Sequence, residues 1–592
     1  MSKFSISRLQ RIARKNRLEI ASANLSRREL FKMGLLTSAG FLVAKSGLSA
    51  SVSDGAPSSP PTRAFIEPLP IMPVKQPVSS LSPAPTASPN TIINPGTGLP
   101  FEGRTQNHQG WSRFPVQKFY EIHQKEAIVS VSPDLPSQVL WGYDGMVPGP
   151  TYHARYGEPM LVRNFNDLPP RGQNNGFGIP SVSTHLHNAH TPSESDGFAC
   201  DFFERGQYYD QHYPNVQAGF DSTHAPGGDV NESSSTLWYH DHRVDFTSQN
   251  VYKGLAGFCL LFNDEDTGDE TTGYRLPSGD YDVPLIFTDK VFDESGQVIF
   301  DLFNLDGIIG DKFLVNGKIQ PFFQVHPRRY RFRVLDGGPS RFYELFFTDP
   351  KNLKKVIPFA QCSNDGNLLP HPLQATSVRL GVAERADIVI DFSQFKPGTS
   401  IYLENRLEQK DGRGPTGKVF QAGRGNYLMR FDVVLPPVAD ESIDPLTSAG
   451  YYALPNNTET PLVTRTFRFE RQNGMWAVNG RLMTCDEVRF RVRRNSAEKW
   501  IIQNNSGGWQ HPIHIHFEEH QILSRNGRAP SAVERGRKDV TRLQFNETVE
   551  LFFRFRDWHG FYPIHCHNTV HEDHAMMIRW LVDDVGDSNP RP

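Results

Sequence analysis

The sequence predicts an all-β protein assembled from three antiparallel β-sandwich units. Segments of about four to eight residues alternate apolar with polar side chains, the period of a half-buried strand. Val488-Arg489-Phe490-Arg491-Val492-Arg493 and Arg329-Tyr330-Arg331-Phe332-Arg333-Val334 are examples, with Gly, Pro and Asn-Gly turns between such segments. One turn recurs three times, as Tyr143-Asp144-Gly145, Val315-Asn316-Gly317 and Val478-Asn479-Gly480, each followed by an alternating strand. Turns of this kind occur in any β protein, so chain length carries the rest of the argument. At 592 residues the chain exceeds the size at which one hydrophobic core stops growing, and several domains are expected.

In chain order, residues 1–55 read as an export signal region. Ser26-Arg27-Arg28-Glu29-Leu30-Phe31-Lys32 precedes the weakly apolar stretch Met33 to Ala44 and resembles a twin-arginine signal. That resemblance implies the twin-arginine export machinery as a partner, export of an already folded protein and a periplasmic location. No apolar run approaches the roughly 20 residues that span a bilayer, so stable membrane insertion is not expected. Residues 56–100 are rich in Pro, Ser and Thr with few large apolar side chains, the composition of an extended linker. The folded body is expected from Phe101, with sandwich units over 101–265, 280–435 and 462–584. The polar stretches Asn263 to Gly279 and Pro436 to Pro461 lie between them.

A net charge of −3 gives no basic surface for nucleic acid or anionic membranes. Five cysteines, Cys200, Cys259, Cys362, Cys485 and Cys566, are too few for a disulfide framework. One bridge among the first four is compatible with an oxidising compartment, with no pairing assignable. Cys259, within Gly257-Phe258-Cys259-Leu260-Leu261, reads as a buried strand residue.

Of 21 histidines, ten fall in four clusters: His185 and His187; His240 and His242; His511, His514 and His516; and His565, His567 and His571. In a strand, residues i and i+2 project from one face, so each H-x-H sets two imidazoles side by side. His185 with His187, His240 with His242, His514 with His516, and His565 with His567 form four such pairs. Eight imidazoles without a carboxylate suit copper and exceed the ligand count of one zinc. Cys566 stands between His565 and His567 and must point to the opposite face, toward a different site. A thiolate, two histidines and a weak axial methionine form the blue-copper electron-transfer set, which Cys566, His511, His571 and Met576 can supply.

These motifs, in this order, resemble those of the multicopper oxidases over roughly Phe101 to Asp584. Within that family HLHNAH, WYHDHRVDFTSQNVYKGLAGF and HCHNTVHEDHAMM are similar to bacterial laccases of the spore-coat, phenoxazinone-synthase and bilirubin-oxidase-like kind. The resemblance implies three cupredoxin-like Greek-key β-sandwich domains and four coppers. It makes His185 and His514 the type 2 ligands. It assigns His187, His240, His242, His516, His565 and His567 to the type 3 pair. Asn188 departs from the glycine many relatives carry after the first H-x-H. An axial Met576 implies a lower blue-copper potential than leucine or phenylalanine would give, which points to electron-rich phenols, while its neighbour Met577 reads as core. Reduction of dioxygen consumes protons, so nearby acids are required. Glu572 and Asp196, in Ser195-Asp196-Gly197, match acidic residues that relatives use around oxygen. Asp196 also reads as an ordinary Asp-Gly turn residue.

The expected activity is laccase-like: a small-molecule phenolic or metal-ion reductant docks at the exposed edge of His511, and dioxygen is reduced to water. Loops over His511 and His571, with the Trp509 region and second-domain segments, would set substrate choice. An oxidase of Mn(II) or Fe(II) is the alternative, since carboxylate sites for those ions leave no linear signature. Ten methionines without a run disfavour Cu(I) oxidation. A non-enzymatic electron carrier would need only Cys566, His511, His571 and Met576 and would leave the other histidines unexplained. His190, His212, His224, His520, His559 and His574 lie near the clusters without ligand spacing and read as structural.

Overall fold

The computed structural model describes residues 59–592 except 223–227, 303 and 473. The predicted signal region and His224 lie outside the described residues. Three units each stack two sheets, of four and four strands, eight and five, and six and five.

The same strand plan occurs in all three. In the first unit Lys118–Val129 pairs antiparallel with Gln138–Tyr143 and parallel with Met160–Asn166. In the second, Asp282–Phe292 does so with Lys312–Val315 and Arg329–Asp336. In the third, Val463–Gln472 does so with Met475–Val478 and Ser496–Asn505. The repeated turn follows the short antiparallel strand each time. Its two central residues have positive φ, at Asp144 and Gly145, Asn316 and Gly317, and Asn479 and Gly480. Asp, Asn and Gly are the residues that tolerate that conformation, so the repeat seen in the sequence is a repeated backbone requirement.

Each sandwich closes on its own aromatic-rich core: Trp141, Tyr143 and Tyr239 in the first, Phe332, Phe392 and Phe431 in the second, and Trp476, Trp500 and Trp580 in the third. Such side chains dominate core energetics because each buries a large apolar area. Met577 is buried among Phe198, Ala199, Leu482 and Met483, and Cys259 is buried in the strand Ala256–Phe262. Among the described residues no helix is long and apolar enough to cross a membrane.

The start of the folded body differs from the sequence expectation. The Pro-rich segment is held to the body from Ser59, which bonds Asp311 and Phe292. Leu69 enters the second core and bonds the Phe322 carbonyl, while Val78 bonds Phe119 of the first unit. Low apolar content prevents this segment from forming a core of its own. A Pro-stiffened extended chain nevertheless loses little entropy when laid along two sheet edges.

Three short helices cluster between the first and third units: α1 (Ser193–Asp196), α2 (Thr247–Lys253) and α3 (Thr569–Asp573). The Ser248 N–H of α2 donates to Asp573 of α3 at 3.1 Å. A Cys200–Cys485 disulfide joins the same two units beside them, and Cys259, Cys362 and Cys566 are free thiols. Gly197 ends α1 with φ +83°, and a Cβ there would lie 2.1 Å from the Thr184 carbonyl oxygen. The Asp-Gly pair therefore lets α1 lie directly against the strand that carries His185.

Candidate metal centre

The strand Thr184–His187 carries His185 and His187, and its ladder sets His185 opposite His240. In the third unit His511–Ile515 pairs with Gly560–Cys566, setting His514 opposite His565. Each unit thus presents two H-x-H pairs from neighbouring strands, and docking of the two units brings the pairs face to face. His185 stacks on His516 with ring centroids 4.0 Å apart, and His187 on His514 at 3.7 Å. His242 lies 4.7 Å from His565, and His240 5.2 Å from His567. All eight are buried.

Six of these rings turn an outward nitrogen to an acceptor, while His242 Nδ1 has only the nearby Glu572 and His567 Nδ1 is buried without a partner. His185 Nδ1 meets the Asp196 carbonyl, His240 Nδ1 the Asp241 carbonyl and His514 Nδ1 the Asp539 carbonyl. His516 Nδ1 meets the Asp196 carboxylate at 2.7 Å, and His187 Nε2 the Asp539 carboxylate at 3.1 Å. His565 Nδ1 lies 3.2 Å from both the Cys566 carbonyl and Glu572 Oε2, and His242 Nδ1 lies 3.5 Å from Glu572 Oε1.

The inward nitrogens do not share that support. His185 Nε2, His187 Nδ1, His240 Nε2, His514 Nε2 and His567 Nε2 are buried without a hydrogen-bond partner. His565 Nε2 lies 3.1 Å from His242 Nε2 and 3.2 Å from His516 Nε2. Buried orphaned nitrogens are costly, and facing lone pairs are what a soft cation satisfies. The donor set therefore fits metal. The mutually close ligand atoms form the sets His185, His514 and His516; His185, His187 and His240; and His242, His516 and His565, with Asp539 completing another beside His187 and His514. Burial lowers His240 to about 3 and His242 to about 4, so these imidazoles stay neutral, the ligating form.

Cys566 turns the other way, into the third core. Its Sγ lies 3.4 Å from His511 Nδ1 and 3.6 Å from His571 Nδ1, and those nitrogens are 3.1 Å apart. Burial raises the Cys566 thiol well above its ordinary range, and a metal cation offsets such a rise by favouring thiolate. Met576 is buried in the same core, its carbonyl accepting from the Cys566 N–H.

Asp196 is fully buried, and burial, with Asp201 adding to it, raises its carboxyl well above the usual range. Glu572 spans His242 and His565. Asn188 has φ +72° and donates to Glu519 at 2.9 Å. The residue after the first H-x-H thus needs a left-handed backbone, and asparagine tolerates it in glycine's place. The other described histidines near the clusters bond elsewhere: His190 to Asp557, His212 to Phe114, His520 to Thr541, His559 to Asp584 and His574 to Val570.

The expected exposed edge of His511 is absent. His511 is 0% exposed, its Nε2 lies 2.8 Å from Ser506 Oγ, and the half-buried Trp509 lies over this region. The sequence reading also missed Asp539 and its partner Arg385, whose guanidinium pairs with the Asp539 carboxylate at 2.9 and 2.6 Å. The available signal was charge at buried positions of an apolar strand, Arg385-Ala386-Asp387-Ile388-Val389.

Two sequence-family models, both described as multicopper oxidase, match residues 127–266 and 455–586. The chain is 34% identical over 531 residues to a bilirubin oxidase of Albifimbria verrucaria, covering 88% of this chain and 81% of that protein. It is 32% identical over 523 residues to a laccase of Bacillus subtilis strain 168, covering 78% and 95%. Among solved structures, a Pediococcus acidilactici laccase superposes with a TM-score of 0.67 at 22% identity, covering 89% and 95%. McoA, a multicopper oxidase from Aquifex aeolicus, gives 0.66 at 24%, covering 79% and 97%. These structural matches show the fold, three sandwiches of the cupredoxin type.

Proposed function

Because this chain belongs to the multicopper oxidases, copper-dependent oxidoreductases that use dioxygen, we propose that it is a laccase-like oxidase. It takes electrons singly from electron-rich phenols and reduces dioxygen to water. The observation carrying this reading is the adjacency of two sites in one tripeptide. Cys566 points into the third core while His565 and His567 point to the interface with the first unit.

In this reading Cys566, His511, His571 and Met576 hold the electron-accepting copper. His185 and His514 hold the type 2 ion, and His187, His240, His242, His516, His565 and His567 hold the type 3 pair. Copper supplies the one-electron chemistry and the place where dioxygen is taken up. The chain supplies the route, since the peptide bonds from Cys566 to its neighbours join the two sites. It also supplies orientation: the Asp196, Asp241 and Asp539 carbonyls fix which nitrogen of His185, His240 and His514 faces inward. The Asp196 carboxyl, raised by burial, holds a proton beside His516. Burial alone would raise Glu572, but His565 and His242 beside it hold its carboxyl at about 2, so Glu572 stands there as a proton acceptor. Export through residues 1–55 belongs to the same proposal.

Copper content together with oxygen uptake tests it, first with an electron-rich phenol and then with Mn(II). Four coppers and phenol-dependent uptake are expected. One copper without uptake means an electron carrier, and uptake on Mn(II) alone means a metal oxidase.

A further inference from the structure

Neither imidazole beside Cys566 can touch a reductant. His511 and His571 are both 0% exposed. Ser506 covers His511 Nε2, and the Asp306 carbonyl meets His571 Nε2 at 3.0 Å. The contact from this centre toward solvent is aromatic. Trp476 is fully buried, its ring 4.0 Å from His571 and 5.3 Å from His511. Its other neighbour is Trp509, edge-on at 5.3 Å and half-buried.

Two guanidinium groups flank Trp509. Arg413, from the second unit, lies 4.7 Å from the ring centroid, and Arg471, from the third, 4.8 Å. Their side chains are 38% and 27% exposed. The acid facing both is Asp306, 3.5 Å from Arg413 and 3.0 Å from Arg471. Asp411, close in sequence, accepts instead from the backbone N–H of Arg413. Arg471 Nε and Trp509 Nε1 are buried without hydrogen-bond partners. Two cations thus meet one anion around an indole at the surface of a chain whose net charge is −3.

We propose that Arg413, Trp509 and Arg471 form a docking site for aromatic reductants that carry a carboxylate. The inference rests on the reading of Cys566 as the electron-accepting centre. The guanidinium forks grip the carboxylate, a geometry lysine could not offer, and the indole edge receives the ring. Each turnover breaks the phenolic O–H bond. The proton goes to solvent, one electron goes to the protein, and a phenoxyl radical leaves with its carboxylate intact. Four such events supply the electrons and protons that one dioxygen needs to become two waters.

The test compares 3-(4-hydroxy-3,5-dimethoxyphenyl)propionate with its methyl ester, in which two methylenes keep the ring chemistry alike. Oxygen uptake by the copper-loaded protein gives KM for each at low salt. Calorimetry with 3-(3,4,5-trimethoxyphenyl)propionate, which has no phenolic O–H, reads binding without turnover. Charge-assisted bonds from two partly exposed guanidinium groups should lower KM for the acid about tenfold relative to the ester. Arg413→Gln and Arg471→Gln should each bring the KM ratio toward one and weaken binding of the trimethoxy acid. Equal KM values for acid and ester, or a ratio that survives both substitutions, overturns the proposal. Arginine-dependent binding without oxidation of either phenol upholds the docking site and overturns the oxidase reading instead.

Discussion

Asp539→Asn is the sharpest test of how the histidine cluster is held. In the native chain one Asp539 oxygen faces His187 Nε2 at 3.1 Å and Arg385 at 2.9 Å, and the other faces Arg385 at 2.6 Å. That leaves His187 Nδ1 as the inward, partnerless nitrogen. Asparagine keeps the backbone carbonyl that accepts from His514. It removes the charge that fixes the His187 ring and leaves Arg385 facing Asp365 at 4.0 Å. Loss of such a supporting acceptor costs about 10- to 100-fold in metal affinity, or about 1.4–2.8 kcal/mol. The assay is copper retention against graded chelator, with the thiolate-to-copper absorption of Cys566 as internal reference. Copper held through His187 should leave at 10- to 100-fold lower chelator while the Cys566 absorption persists. Equal retention in both proteins, or parallel loss of the two signals, refutes the reasoning.

Three further outcomes follow from the site and the interface. Cys566→Ser should abolish the thiolate absorption and phenol oxidation while copper at the eight-histidine cluster stays bound, as read by metal analysis and electron paramagnetic resonance. Asp196→Asn and Glu572→Gln should each slow oxygen consumption about 100-fold or more and change its pH profile; unaltered rates and profiles would remove both residues from proton supply. Burial alone would raise the Asp266 carboxyl, but Arg331 and Arg333 beside it hold it at about 2 against an ordinary 3.8. A lowered carboxylate contributes stability fully above 3.8 and loses it as pH falls through 2, here about 2 kcal/mol. Asp266→Asn should therefore melt below the native protein at pH 5, with the gap closing toward pH 2; a gap constant with pH contradicts the linkage.

The legible parts of this chain are those set by short-range periodicity. The two-residue period of a strand puts His185 beside His187 and turns Cys566 away from His565, whatever the rest of the chain does. The recurring Asp-Gly and Asn-Gly turns are legible because a backbone with positive φ restricts composition. What stands behind the ligands was not legible. His187 meets Asp539, and Asp539 meets Arg385, only after three separately folded sandwiches have docked, and no local pattern encodes that distance. The Cys200–Cys485 pairing was hidden for the same reason. The buried edge of His511 was hidden because Ser506 covers it from a loop whose path depends on Asn504 bonding back to Trp509.

The N-terminal strap has a consequence in time. Leu69 is synthesised early, yet the strands it lies against run as far as Asn426–Val433. At about 5–20 residues per second, roughly 360 residues of further synthesis separate the strap from its seat, an interval of roughly 20–70 s. Cys200 likewise waits through 285 residues of synthesis for Cys485. The strap around Leu69 is therefore secured only once the second unit is complete, and the nascent protein keeps the flank of its second core uncovered until most of its length has been made.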